Sequence, residues 1–166
     1  MRRCAFVVVL IALTAVPAAN PATERPPTVR AALAAGVLAK LNAIRVSHGL
    51  VPVVLNAQLS AAATQHSTEM LVRGYFAHES RDGTSPLKRI KTYYKGVAGE
   101  NIVWSMPDLG AARALALWMG NAPHRDVILD PRWREIGIGA LHSARAPGKF
   151  RGHAVTVITT DFGAPR

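Results

Sequence analysis

The chain reads as an α+β domain, with helices leading and strands closing. Two features predict this. Apolar residues recur at spacings of three and four from Leu33 to Trp118, the period of a helix with one buried face. They alternate with small or polar residues in WREIGIGALH and HAVTVITTDFG, two runs joined by the glycine- and basic-rich ARAPGKFRG, which is the layout of an antiparallel hairpin. Helices grouped ahead of such a hairpin are expected to pack on its sheet. A chain of 166 residues has room for one domain with a sizeable core.

The elements follow in order. Leu33, Val37, Leu41 and Ile44 mark a first helix over about Val29 to His48, stopped by Ser47-His48-Gly49. VPVVLN is extended, because Pro52 disfavours the helical conformation in the residue before it. Asn56 is placed to cap a second helix that runs to Arg73 and ends at Gly74, with Leu59, Ala62 or Ala63, His66 and Met70 facing inward. Asp82-Gly83 marks a turn in the loop YFAHESRDG, and Ser85-Pro86 supplies a cap and first residue for a short helix to about Tyr94. GVAGENIVW, residues 96–104, reads as a strand. Pro107-Asp108 opens a fourth helix with Ala111, Leu115 and Trp118 buried, broken at Gly120-Asn121-Ala122-Pro123, and HRDVILD forms a further short turn or helix.

The N-terminus bounds the compartment. Residues 1–22 begin with Arg2 and Arg3, continue as an apolar run from Ala5 to about Val16, and end in small residues and prolines. That is the layout of a secretory signal peptide, cleaved after Ala18 or Ala22, and the run is short for a membrane span of about 20 residues. A polar, proline-rich linker over 23–28 then leads to a domain over 29–166, so the mature protein is expected to be secreted or periplasmic. The single cysteine, Cys4, lies in the leader. Disulfides, thiolate metal sites and a cysteine nucleophile are therefore excluded from the mature domain.

Formal net charge is +10, and without Arg2 and Arg3 there remain 18 basic residues against 10 acidic ones. Residues such as Arg73, Arg81, Arg89, Arg125 and Arg151 are scattered and not interleaved with aromatics, so no specific nucleic-acid groove is indicated. They read as a solvated basic surface able to adhere to an anionic cell envelope or lipid headgroups.

Glu100 and Asn101 raise the chemical question. They sit between Gly99 and the inward-reading Ile102-Val103-Trp104, where an unpaired carboxylate is costly. The pair either caps a backbone turn or faces a cleft.

Five segments in order carry a family pattern: LNAIRVSHGLVPVVLNAQLSAAATQHSTEM, FAHESRDGTSPLKRI, GENIVWS, LALWMGNAPHRDVILDPRWREIGIGA and TDFG. Together they resemble the bacterial branch of the CAP superfamily, which includes cysteine-rich secretory proteins, antigen 5 and pathogenesis-related proteins. The resemblance implies an α-β-α sandwich, a central antiparallel sheet flanked by helices. It also implies a cleft where His78, Glu100 and His124 converge, with Asn101 beside them. Another family glutamate follows the tryptophan of the fourth helix; here Trp118-Met119-Gly120-Asn121 holds no acid, which weakens any mechanism needing two carboxylates.

His78, His124 and Glu100 form a possible ligand set for a divalent ion, zinc above all, with an open position for water. Without metal, Glu100 could orient one histidine as a base, or all three could close a structural network. Three functions follow: a binding module for a divalent ion or a small apolar, lipid-like ligand; a metal-dependent extracellular hydrolase; and a basic, envelope-associated interaction protein. A preformed apolar pocket away from the histidines favours the first. No G-x-S-x-G elbow supports a serine nucleophile. His66 is expected in the core, His48 at a helix end, His142 and His153 at the surface, and the protein is expected to be a monomer.

Overall fold

The computed structural model describes residues 25–165. The leader read over residues 1–22 lies outside them. The elements run β1 (Thr28–Val29), α1 (Ala31–Ser47), β2 (Val54–Leu55), α2 (Ala57–Arg73), α3 (Pro86–Lys91), β3 (Gly96–Ser105), α4 (Ala111–Met119), α5 (Ala122–Ile128), β4 (Glu135–Ala146) and β5 (His153–Pro165). The sheet order is β1-β4-β5-β3, antiparallel throughout, with the two residues of β2 added parallel to β4. Among the described residues no helix is long and apolar enough to cross a membrane.

The period of two sorts the strand residues between two helical layers. Ile136, Ile138, Ala140, Ile158 and Phe162 face α1, α4 and α5, where they meet Val37, Leu41, Leu115 and Trp118. Leu141, Val155, Val157 and Ile102 face the opposite layer and pack on Met70 and Leu71 of α2. The α-β-α sandwich is the result. Gly137 and Gly139 let α2 lie directly on β4: a Cβ at Gly137 would stand 2.0 Å from the Leu59 carbonyl carbon, and one at Gly139 2.4 Å from that of Ala63. Ser67 closes this contact by donating to Gly139 O at 2.8 Å.

The caps of α2 explain its bounds. Asn56 Oδ1 accepts from the amides of Gln58 (2.8 Å) and Leu59 (3.0 Å), and Gly74 ends the helix at φ +66°. Three bounds depart from the sequence expectation. Helix α1 starts at Ala31 because Thr28 and Val29 pair with His142 and Leu141 as β1. Helix α3 stops at Lys91, and Tyr94 is drawn to the sheet, its hydroxyl donating to Glu135 Oε2 at 2.6 Å. Helix α4 starts at Ala111, behind Gly110, not at Pro107-Asp108. The Asp108 carboxylate is taken by the Leu109 amide (2.8 Å) and by Thr156 Oγ1 of β5 (2.7 Å), so it caps no helix.

Arg45 and Arg89 also depart from the expected solvated basic surface, since both are buried. Arg45 donates to the carbonyls of Val51, Ile128, Asp130 and Trp133, tying α1 to the segment between α5 and β4.

Candidate functional site

Among the described residues strand β3 is an edge of the sheet, paired only with β5. Its side chains alternate between layers, so Glu100 points toward α2 and α3 while Asn101 points toward α5. His78 comes from the loop after α2 and His124 from α5, so the two imidazoles reach the same edge from opposite layers. Their ring centroids lie 6.4 Å apart at 42°.

Glu100 is 9% exposed and both its oxygens are engaged. Oε1 meets His78 Nδ1 at 2.8 Å, and Oε2 pairs with the Arg89 guanidinium. Arg89 also donates from Nη1 to His78 O (3.1 Å) and Ser80 Oγ (3.0 Å), so one buried cation fixes both the carboxylate and the loop that carries His78. The second partner of Glu100 is therefore Arg89 in place of the expected His124. Asn101 does not tie down the Gly99 turn; its Nδ2 donates to His124 O at 3.0 Å and thereby holds α5 against the strand.

These surroundings separate the two histidines. The hydrogen bond to Glu100 raises the pKa of His78, whereas burial, with the charge of His78, lowers that of His124. Because Nδ1 of His78 faces Glu100, its Nε2 is the nitrogen left for a ligand or a proton.

Asp161 was not anticipated. It is fully buried, it is the register partner of Glu100 across β3–β5, and neither carboxylate oxygen has a hydrogen-bond donor. Burial, followed by the charge of Glu100, raises its pKa well above the ordinary carboxylate value. In its protonated form Asp161 has a hydrogen to donate toward Glu100. The acid absent after Trp118 thus has no counterpart in the cleft, and the second carboxyl stands behind Glu100, closed to ligands. An acid inside the threonine-rich run TVITTDFG was the available signal.

Of the remaining histidines, His153 is exposed, and the other three bond within the fold. His66 is buried with Nε2 at 2.9 Å from Ala77 O, and His48 Nδ1 lies 2.8 Å from Ile44 O at the end of α1. His142 Nδ1 meets Thr156 Oγ1 at 3.0 Å.

The expected three-ligand metal set is not assembled. Glu100 is spent on His78 and Arg89, and among the described residues no three His, Cys, Asp or Glu side chains stand close enough to share an ion. Two imidazoles remain, one of them oriented by a carboxylate in the manner common behind metal-bound histidines.

Comparison with known proteins decides the family. The pattern of the CAP, or cysteine-rich secretory protein, family matches residues 38–158. The chain belongs to the CAP family. It is 33% identical over 127 residues to YkwD, an uncharacterized protein of Bacillus subtilis (strain 168), covering 75% of this chain and 48% of that one. It is 30% identical over 105 residues to the uncharacterized membrane protein YlbC of the same organism, covering 62% of this chain and 30% of that one. The chain spans about half or less of these curated relatives. Among solved structures, an extracellular SCP-domain protein of Bacillus anthracis str. Ames superposes with a TM-score of 0.66 at 23% identity, over 81% of this chain and 41% of that one. An outer surface protein of Borrelia burgdorferi superposes with a TM-score of 0.65 at 16% identity, over 78% of this chain and 90% of that one. These likenesses establish the CAP fold; the site is read from this chain's own side chains.

Proposed function

We propose that this CAP domain is an exported binding module for small apolar, lipid-like molecules, and that the ligand lies between α1 and α4. One observation carries the reading: an apolar groove of about 390 Å³, whose lining includes neither His78 nor His124, formed by Ala43, Ile44, Ala112, Leu115, Ala116 and Met119 with Lys40 beside them. The cause is in the sequence. Gly36 and Ala111 allow close approach at one end of the helix pair, where a Cβ on Gly36 would stand 3.3 Å from that of Ala111. Farther along, alanines leave the space between the helices unfilled. The volume falls in the range of small-ligand pockets. A single amine beside an apolar slot suits an acyl chain with an acidic head.

Export rests on the signal-like residues 1–22, and the extracellular SCP-domain protein of Bacillus anthracis supports it by analogy. The scattered basic residues would hold a monomeric module near an anionic envelope, with an attachment that salt weakens.

The test is displacement of a fluorescent long-chain fatty acid from the purified mature protein. Saturable binding in the wild type, lost in Ala116→Trp and weakened in Lys40→Glu, is the expected result. Equal signal in all three, or none in the wild type, rejects the groove.

A second reading is favoured by the orientation of His78. A divalent ion would be held by His78 and His124, with Glu100 fixing the first through Nδ1 and the ion polarising a bound water. Metal content of the wild type, compared with His78→Ala and His124→Ala, tests it; no difference among the three rejects it.

A further inference from the structure

A second groove, distinct from the α1–α4 slot, runs along the free edge of β3. Its volume is about 260 Å³, and its walls include Phe76, Trp104, Leu117 and Trp118, with Asn121 and His124 at one end. The Phe76 and Trp104 rings stand 6.1 Å apart at 53°, and Trp104 is held in turn by Phe150 at 5.3 Å. The Trp118 N–H is not available to a ligand, because it donates to Ile102 O at 3.0 Å. Asn121 is different. It occupies the position before α5 yet makes no capping hydrogen bond, so its amide is free at the groove mouth.

The lining selects by exclusion. Among the described residues that border the groove there is no arginine, lysine, aspartate or glutamate, so nothing there compensates a desolvated charge on a ligand. A purely apolar occupant would bury the Asn121 amide and the His124 ring without partners, at a cost of about 1–3 kcal/mol for each polar group left unpaired. What fits is a ring with an apolar face and an uncharged polar edge. The edge should both donate and accept, as the amide of Asn121 does. A pyranose has that form: its C–H face lies on the negative face of an indole, and its hydroxyls line the rim.

We infer that the Phe76–Trp104–Asn121–His124 groove is a subsite for one pyranose ring of an uncharged glycan. It is independent of the acyl-chain slot, so either site can fail without the other.

The experiment titrates the mature protein with the N-acetylglucosamine trimer and with cellotriose, following tryptophan fluorescence and the side-chain amide resonance of Asn121. Benzoate and indole serve as rings of the wrong polarity. At least one sugar should saturate and shift the Asn121 resonance, with affinity falling about tenfold in Asn121→Ala, equal to about 1.4 kcal/mol. Trp104→Leu should abolish binding, while Trp104→Phe, which keeps an aromatic platform and guards against loss of folding, should retain part of it. The inference is overturned if neither sugar saturates, if benzoate or indole binds more tightly than both, or if Asn121→Ala binds as the wild type does.

Discussion

Glu100 and Asp161 face one another across the β3–β5 ladder, both directed at the α2 layer, with Arg89 as the buried cation of the group. Two carboxyls in such a site do not both ionise, because each charge is desolvated and each repels the other. His78 and Arg89 meet Glu100, whereas burial and the charge of Glu100 raise the pKa of Asp161.

This division fixes the pH dependence of stability. Asp161 has a folded pKa above its ordinary 3.8, and His78 one above 6.5. Each folded group binds more protons than its unfolded counterpart, so each contributes stability at low pH that drains as pH rises toward the folded pKa. Thermal unfolding followed upward from about pH 6.5, above the range in which His66 and His124, whose pKa values burial lowers, contribute the opposite slope, should show a declining Tm. Asp161→Asn, which keeps a donor toward Glu100, should flatten the decline; an unchanged slope contradicts the assignment.

Arg89 is the structural partner that matters most to Glu100. Its loss leaves the buried carboxylate without its buried cation, a defect of roughly 3–5 kcal/mol. Denaturant unfolding of Arg89→Met should show a loss of that order, and adding Glu100→Gln should recover much of it. Additive losses in the double variant would show the pair to be uncoupled.

The contact of α2 with β4 is equally exposed to test. Gly137→Ala places a methyl 2.0 Å from the Leu59 carbonyl carbon, where backbone must move. A destabilisation of at least about 3 kcal/mol is expected, beyond ordinary overpacking. Gly110→Ala, whose added Cβ meets nothing within 4 Å, is the comparison and should lose only the roughly 1 kcal/mol or less of replacing glycine by alanine at a helix N-cap.

Local chemistry was legible in the sequence where one segment suffices to determine it. Asn56, Gly74 and Ser85-Pro86 end helices through atoms within four residues, and each stands where the pattern puts it. Alternation in β4 and β5 sorts the core for the same reason. The cleft was legible in part: the family pattern names His78, Glu100 and His124, and the structure brings them to one edge. Arg89 and Asp161 were not found, because their roles depend on the β3–β5 register and on the path of the loop before α3. Pro107-Asp108 misled because a helix-opening acid looks the same as one that bonds a distant threonine.

The central structural claim is that imidazoles from opposite layers share one cleft, with Glu100 bound to only one of them. NMR titration of the histidine ring protons measures this directly. The account predicts His78 titrating above 6.5 and His124 below it, with the His78 shift abolished in Glu100→Gln and the His124 value rising in His78→Ala. Two histidines titrating at the ordinary value, unmoved by either substitution, would contradict it.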